Sequence, residues 1–195
     1  SIADSFAAPE ILTRLTISEA KLVLTYDHQN RAGKKLPLFS KVTKATEIPA
    51  VVLNTDTELS CTLRPQDIAW VNFLASKTDF DSIDCDSDAA MNILFSSGTT
   101  GEPKAIPWSH TTPIKCAVDG YCHQNIHPGD VCAWPTNLGW MMGPWLIFAS
   151  LMNQATIALY EDAPTGIEFG TFIQEAEVTM LGVVPTIVKA WEASG

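Results

Sequence analysis

An α/β fold, with a mostly parallel sheet flanked by helices, is the architecture this 195-residue sequence predicts. Three observations carry it. Short apolar runs alternate along the chain with segments whose apolar residues recur at a helical period. The strand-like runs are separated by helix-length stretches rather than tight turns, as parallel pairing requires. The composition, 46% hydrophobic and 17% charged, is that of a chain that buries a core.

From the N-terminus, Phe6 to Leu15 has a helical spread of apolar residues with Pro9 near its start, and Lys21 to Tyr26 reads as a strand. Leu36 to Ala45 predicts a short helix, Ala50 to Leu53 a strand, and Gln66 to Ala75 an amphipathic helix. Thr78 to Asp88 holds five aspartates. Asp84, Asp86 and Asp88 have a calcium-loop spacing, but Ala89 stands where such a loop needs glycine and Phe95 where it needs glutamate. Residues 78–90 therefore read as a solvated acidic connector between a first α/β portion, 1–77, and a second, 91–195.

Met91 to Phe95 opens the second portion as a strand. Helix, strand, helix and strand then follow at Thr111–Gln124, Asp130–Trp134, Trp140–Met152 and Ala155–Tyr160. A helix over Glu168–Ala176, a strand over Val178–Val184 and a helix over Pro185–Ala193 complete the pattern; proline suits the first turn of the last helix. There is no internal repeat and no low-complexity tract.

Ser96 to Lys104 reads SSGTTGEPK and follows directly from the Met91–Phe95 strand. Gly98 and Gly101 let the backbone adopt positive φ and approach an anion, so that successive N–H groups converge on it. Ser96, Ser97, Thr99 and Thr100 add hydroxyl donors, and Lys104 adds a mobile point charge. The combination is phosphate-handling chemistry. It is not a Walker A loop: the second glycine comes three residues after the first, Lys104 lies three beyond Gly101 and is followed by Ala105, and Pro103 removes a donor.

These nine residues resemble the nucleotide loop of the adenylate-forming superfamily, which includes acyl-CoA synthetases, luciferases and peptide-synthetase adenylation domains. Ala105 replaces the glycine that usually follows the lysine. His127-Pro128-Gly129-Asp130, Asn137-Leu138-Gly139-Trp140, Gln154-Ala155-Thr156 and Val184-Pro185-Thr186 recur in the same order in acetyl-CoA-synthetase-like enzymes. The wording ILFSSGTTGEPKAIPW is most similar to the plant peroxisomal acyl-activating enzymes.

The resemblance implies part of the large N-terminal domain of an AMP-forming acid–CoA ligase. In that family a carboxylate attacks the α-phosphate of Mg-ATP to give acyl-adenylate and pyrophosphate, and the CoA thiol then displaces AMP. The implied substrates are a carboxylic acid, ATP and CoA, with Mg2+ as metal. Ser96, Ser97, Gly98, Thr99, Thr100, Gly101 and Lys104 would hold the ATP phosphates. Arg31, Ala32, Gly33 and Lys34 match, with Ala32 for a glycine, the basic turn that contacts the nucleotide end of CoA. Trp140, Met141 and Met142 match the segment lining the acyl pocket and the pantetheine channel, where methionines suit a group bulkier or less regular than acetate.

No catalytic residue and no metal ligand is assigned in this chain. The family's adenine, ribose and metal motifs, its hinge and its C-terminal domain with the adenylation lysine do not occur before Gly195, and both ends are expected to be cuts. These 195 residues alone are expected not to form acyl-CoA. Two other readings stay open: a truncated, non-catalytic nucleotide-binding or interaction module, and an adenylation domain that loads a carrier protein. The acid and the oligomeric state are not legible.

Charge and cysteines limit the partners further. The net charge of −10, from 12 basic and 22 acidic residues, leaves no basic stripe for nucleic acid or an anionic membrane. The most apolar run, Trp140 to Met152, is too short to span a bilayer, so no integral membrane segment is expected. Cys61, Cys85, Cys116, Cys122 and Cys132 form no C-x-x-C and are odd in number, which predicts a reduced, intracellular compartment. Peroxisome or cytoplasm both fit, the peroxisome by resemblance. Cys116, Cys122, His123, His127 and Cys132 fall close together, but their spacing matches no zinc module.

Overall fold

The computed structural model describes residues 1–76, 79–96 and 103–194. Their contacts divide into two compact units. One comprises Ile2–Cys85 with Phe95–Ile106; the other comprises Ser1, Asp86–Leu94 and Pro107–Gly195.

The first unit opens with helix α1 (Ala8–Ile17), which buries Ile11, Arg14 and Leu15 along one face. The Glu10 carboxylate accepts the Ala7 N–H at 2.9 Å, occupying one of the donors that a helix start leaves free. Strand β1 (Val23–Tyr26) follows, then the short strands β2 (Gln29–Arg31) and β3 (Lys34–Leu36) and helix α2 (Leu38–Ala45). Strand β4 (Ala50–Leu53), strand β5 (Ile68–Ala69) and the single-turn helix α3 (Trp70–Phe73) complete the ordered elements of this unit's N-terminal stretch.

Strands β1, β4 and β5 form a parallel sheet with β4 in the middle, in the register Val23↔Ala50 and Val51↔Ile68. Ala50, Val51 and Val52 are wholly buried, which is why β4 is a continuous apolar run rather than an alternating one. Phe39 and Val42 of α2 cover Ala50 and Val52, while Ile11 and Leu15 of α1 pack on Ala45.

In the second unit, helix α4 (Thr112–His123), strand β8 (Val131–Ala133), helix α5 (Met142–Leu151), strand β9 (Thr156–Ile157), helix α6 (Gly166–Glu175), strand β10 (Met180–Leu181) and helix α7 (Pro185–Ser194) alternate. The strands β6 (Ala90–Ser96) and β7 (Lys104–Ser109), whose residues 95–96 and 104–106 fall in the first unit and the rest in the second, form a two-stranded sheet. Strands β10, β8 and β9 make a second parallel sheet, again with its central strand buried: Cys132 is 0% exposed. Ile126, Trp145, Leu146, Ala149 and Ala155 surround it. The Asn153 amide donates to Ala117 O at 2.9 Å and Ala149 O at 2.8 Å, joining α5 to α4.

Pairing is parallel in both three-stranded sheets, as the alternation predicts. Two local expectations are corrected. Gln66–Ala75 is not one helix, because Ile68 and Ala69 pair with β4 and only one turn follows, with Val71, Phe73 and Leu74 left exposed. Residues 29–36 form an antiparallel hairpin where the sequence shows only a basic turn, so Leu36 ends a strand instead of starting α2. Lys104–Ser109 is a strand despite Pro107. Strands β9 and β10 are also shorter than the apolar runs that contain them.

Candidate functional site

Ser96 is the last residue of β6 and Lys104 the first of β7, so the two ends of the glycine-rich loop are strand termini. Ser97, Gly98, Thr99, Thr100 and Gly101 lie outside the described residues. Leu94 and Phe95 before the loop and Trp108 after it are buried, whereas the Lys104 side chain is exposed. Beyond Trp108 the chain turns at once into α4. Ser109 N donates to Thr112 Oγ1 at 3.2 Å, the Ser109 and Thr111 hydroxyls lie 2.7 Å apart, and Pro113 sits in the first turn.

Arg31 and Lys34 face each other as the last pair of the β2–β3 hairpin. Ala32 (φ +49°) and Gly33 (φ +71°) make the turn between them, both left-handed as a two-residue hairpin turn requires. Being directly opposite, Arg31 and Lys34 project to one face, with Asn30 and Lys35 on the other. Arg31 Nη1 lies 3.4 Å from Asp4 Oδ2 and the side chain remains about half exposed, at 46%.

A buried polar cluster that the sequence reading missed lies at the base of this hairpin. The Asp27 carboxylate is wholly inaccessible. Its Oδ1 accepts from His28 N at 2.7 Å and from Thr55 N at 3.1 Å, and its Oδ2 accepts from Ser60 N at 2.8 Å. Burial by itself would raise the Asp27 pKa. The hydrogen bonds from Ser60, His28 and Thr55 outweigh it and hold the carboxyl well below the usual range. His28 Nδ1 lies 2.9 Å from Asp27 Oδ1 and 3.0 Å from Ser60 Oγ. Its Nε2 lies 3.3 Å from Asp56 Oδ2, off the hydrogen-bond line.

In the second unit Asn137 builds the turn that enters α5. Its Oδ1 accepts from Gly139 N at 2.9 Å, its main-chain O accepts from Trp140 N at 2.9 Å, and Trp140 O accepts from Gly143 N at 3.0 Å. This Asx turn carries Met141 and Met142 to the mouth of an open cleft of about 430 Å³, walled by Trp108, Cys116 and Trp145, with Asp119 and His123 from α4 at its edge. Trp140, 45% exposed, is not one of the cleft's walls. Met142 also packs against the core cluster. Burial pushes the Cys116 thiol up, and the Asp119 charge adds to that.

The His127–Asp130 segment is a second turn. Asp130 accepts from His127 N at 2.7 Å and from Thr179 Oγ1 at 2.7 Å, which joins the start of β8 to the approach to β10. His127 packs edge-on against Tyr121, with ring centroids 4.6 Å apart. Among the described residues, no group of three or more His, Cys, Asp or Glu is placed to hold a metal ion. No helix among them is long and apolar enough to cross a membrane.

Residues 2–195 match the sequence profile of the AMP-binding enzyme family. Over the whole chain the sequence is 52% identical to a hexanoyl-CoA synthase from Cannabis sativa and 49% identical to a protein named Probable acyl-activating enzyme 17, peroxisomal, from Arabidopsis thaliana. It spans 28% of the length of each of these relatives. Among solved structures, an acetoacetyl-CoA synthetase from Streptomyces lividans superposes with a TM-score of 0.83 at 25% identity, over 97% of this chain and 30% of that one. The chain belongs to the AMP-binding enzyme family.

Proposed function

We propose that this chain is the phosphate-loop portion of an ATP-dependent acid–CoA ligase, which forms an acyl-adenylate and then an acyl-CoA. The observation that carries the proposal is the SSGTTGEPK loop in a chain related throughout its length to proteins named as a hexanoyl-CoA synthase and acetyl-coenzyme A synthetases. In the first half-reaction the acid's carboxylate oxygen bonds to the α-phosphorus and the bond to the bridging oxygen of pyrophosphate breaks. In the second, the CoA sulfur attacks the acyl carbon and AMP leaves.

The loop's part in this chemistry is electrostatic and positional. Ser96, Ser97, Thr99 and Thr100 donate to the β- and γ-phosphates. Gly98 and Gly101 admit the anion to the backbone, and Lys104 offsets its charge, leaving the α-phosphate aligned for in-line attack. Mg2+ would enter with ATP, and no residue described here is assigned to it. Arg31 and Lys34 embrace a phosphate at the nucleotide end of CoA. This basic turn favours CoA over a carrier protein as acceptor.

The cleft at Met141 and Met142 receives the acyl group. Its walls of Trp108, Met142 and Trp145 suit an apolar acid larger than acetate. The hexanoyl group in one relative's name is of that class. The peroxisome is the compartment we assign, by analogy with the Arabidopsis relative.

The test supplies the complete polypeptide that carries this chain with Mg-ATP and acetate, hexanoate, octanoate or phenylacetate, trapping acyl-adenylate with hydroxylamine and then adding CoA. Hydroxamate and acyl-CoA are expected with the larger acids. Strict preference for acetate would contradict the cleft assignment, and hydroxamate without acyl transfer to CoA would favour a carrier protein. The 195-residue chain alone is expected to give no acyl-CoA.

A further inference from the structure

A carboxylate from outside the β2–β3 hairpin meets its tip. Arg31 Nη1 lies 3.4 Å from Asp4 Oδ2, across 27 positions of sequence. Asp4 is anchored independently of this pair. Ala3 is buried at 2% exposure, Phe6 N donates to Ala3 O at 3.3 Å to close the turn that contains Asp4, and Lys41 Nζ of α2 donates to the Asp4 main-chain O at 2.6 Å. Arg31 and Lys41 thus converge on one residue, the first at its carboxylate and the second at its carbonyl.

From Gln29 to Thr46 the sequence holds Arg31, Lys34, Lys35, Lys41 and Lys44 and no Asp or Glu. In a chain of 22 acidic and 12 basic residues this segment is a local excess of positive charge, and tertiary packing sets a distant carboxylate against one of its cations. The pair is loose. Its 3.4 Å separation is long for a charge-assisted hydrogen bond, and the Arg31 side chain is 46% exposed against 13% for Asp4. Such a pair orders the arginine little, whereas the negative charge beside it still opposes an incoming anion over several ångströms. Of the two effects, the second is the larger.

We propose that Asp4 sets the affinity for CoA as a resident competitor for Arg31: its carboxylate holds the guanidinium, and the phosphate at the nucleotide end of CoA has to displace it. This rests on the reading of Arg31 and Lys34 as the CoA contact. No covalent bond changes in the exchange. The guanidinium presents five N–H donors in a fork that matches phosphate with two parallel bonds, a fit that one carboxylate oxygen at 3.4 Å does not reach, so phosphate is the better partner. Asp4 lowers the net gain without preventing it.

Asp4→Asn removes the charge and keeps both the size of the side chain and the main-chain anchor to Lys41. In the complete polypeptide, with ATP and acid saturating, it is expected to lower the KM for CoA roughly 2- to 5-fold, the span of an exposed ion pair. The difference from wild type should shrink as ionic strength rises from about 0.01 to about 0.15 M and the screening length falls from ~30 to ~8 Å. It should be absent with dephospho-CoA, which lacks the 3′-phosphate at the nucleotide end, and absent in an Arg31→Ala/Lys34→Ala background. The KM for ATP, and hydroxamate formation without CoA, stay at wild-type levels.

If Arg31→Ala/Lys34→Ala raises the CoA KM while Asp4→Asn leaves it unchanged or raises it too, the competition is wrong and the CoA reading of the turn survives. If Arg31→Ala/Lys34→Ala has no effect on the CoA KM, the reading of the turn fails and the competition falls with it. An undiminished gain with dephospho-CoA, or an equal fall in the KM for ATP, would overturn the proposal as well, because the lost charge would then act on anions in general. Should Asp4→Asn not fold, Asp4→Ser is judged by the same criteria.

Discussion

Arg64 holds Asp67 in a two-armed fork, with Nε 2.7 Å from Oδ2 and Nη2 2.9 Å from Oδ1. The same carboxylate accepts Ala50 N at 2.8 Å, while the guanidinium donates to Thr46 O and to Ile48 O, the latter at 3.0 Å. The pair thus ties the loop before β5 to the loop that enters β4. The Asp67 carboxylate is wholly buried and Arg64 is 17% exposed, so either group left alone is stranded. Asp67→Ala is expected to lower unfolding free energy by about 3 kcal/mol, read from urea denaturation. Arg64→Lys keeps the charge but loses the fork, and is expected to lose a large part of the same amount.

Acid should unfold the protein through its hydrogen-bonded carboxylates. Asp27, Asp67 and Asp130 are each held below the ordinary value of 3.8. For Asp27 and Asp67, burial works in the opposite direction and is outweighed, by hydrogen bonds at Asp27 and by the Arg64 fork with backbone donors at Asp67. For Asp130, hydrogen bonds from His127 and Thr179 are the cause. A depressed folded-state pKa means that the unfolded chain binds more protons. The stabilisation is therefore complete above 3.8 and is lost as pH falls below it. The urea midpoint should hold steady above that value and drop below it, and Asp67→Asn should flatten the drop.

Gly143 has no room for a side chain. A Cβ there would lie 2.5 Å from Asn137 O and 2.7 Å from Leu138 Cα, both backbone atoms of the turn that enters α5. Gly143→Ala therefore has to open the turn, at a cost of about 1–3 kcal/mol or more. Met141 and Met142 would leave the cleft with it. A lower Tm and an altered near-ultraviolet signal from Trp145 are expected. Asn137→Leu, which loses the oxygen that accepts Gly139 N, should resemble the glycine variant.

Where burial was one-sided or complete, the elements were legible in the sequence. Helix α2 buries Phe39, Val42 and Ala45 at helical spacing, and β4 is an unbroken apolar run because both of its faces are covered. The β2–β3 hairpin was not legible, because Gln-Asn-Arg and Lys-Lys-Leu carry no alternation and only the Ala32-Gly33 pair marks a turn. Pro107 concealed β7. The periodicity of Gln66–Ala75 was real, but pairing of Ile68 and Ala69 with β4 overrode it.

The candidate site divides in the same way. The loop and the basic turn are contiguous, so short patterns revealed them. The Asp27 cluster draws on residues 33 positions apart, and the cleft brings Cys116 from α4 beside Met142 from α5. Only tertiary packing creates those neighbours.

Met142 is a wall of the cleft that sits at the first turn of α5 and is only partly buried. Met142→Trp adds volume inside the cleft and, with the acyl group bound there as proposed, should shorten the acid accepted. Each methylene driven out of apolar contact costs about 0.8 kcal/mol, or roughly fourfold in kcat/KM. In the complete polypeptide the loss should therefore grow with chain length, small for acetate and steepest for octanoate, while the KM for ATP stays constant. Met142→Ala should act in the opposite sense and favour the longer acids. An equal loss across the whole acid series would mean that the substitution damages the fold rather than the pocket, and the acyl group would then have to lie elsewhere.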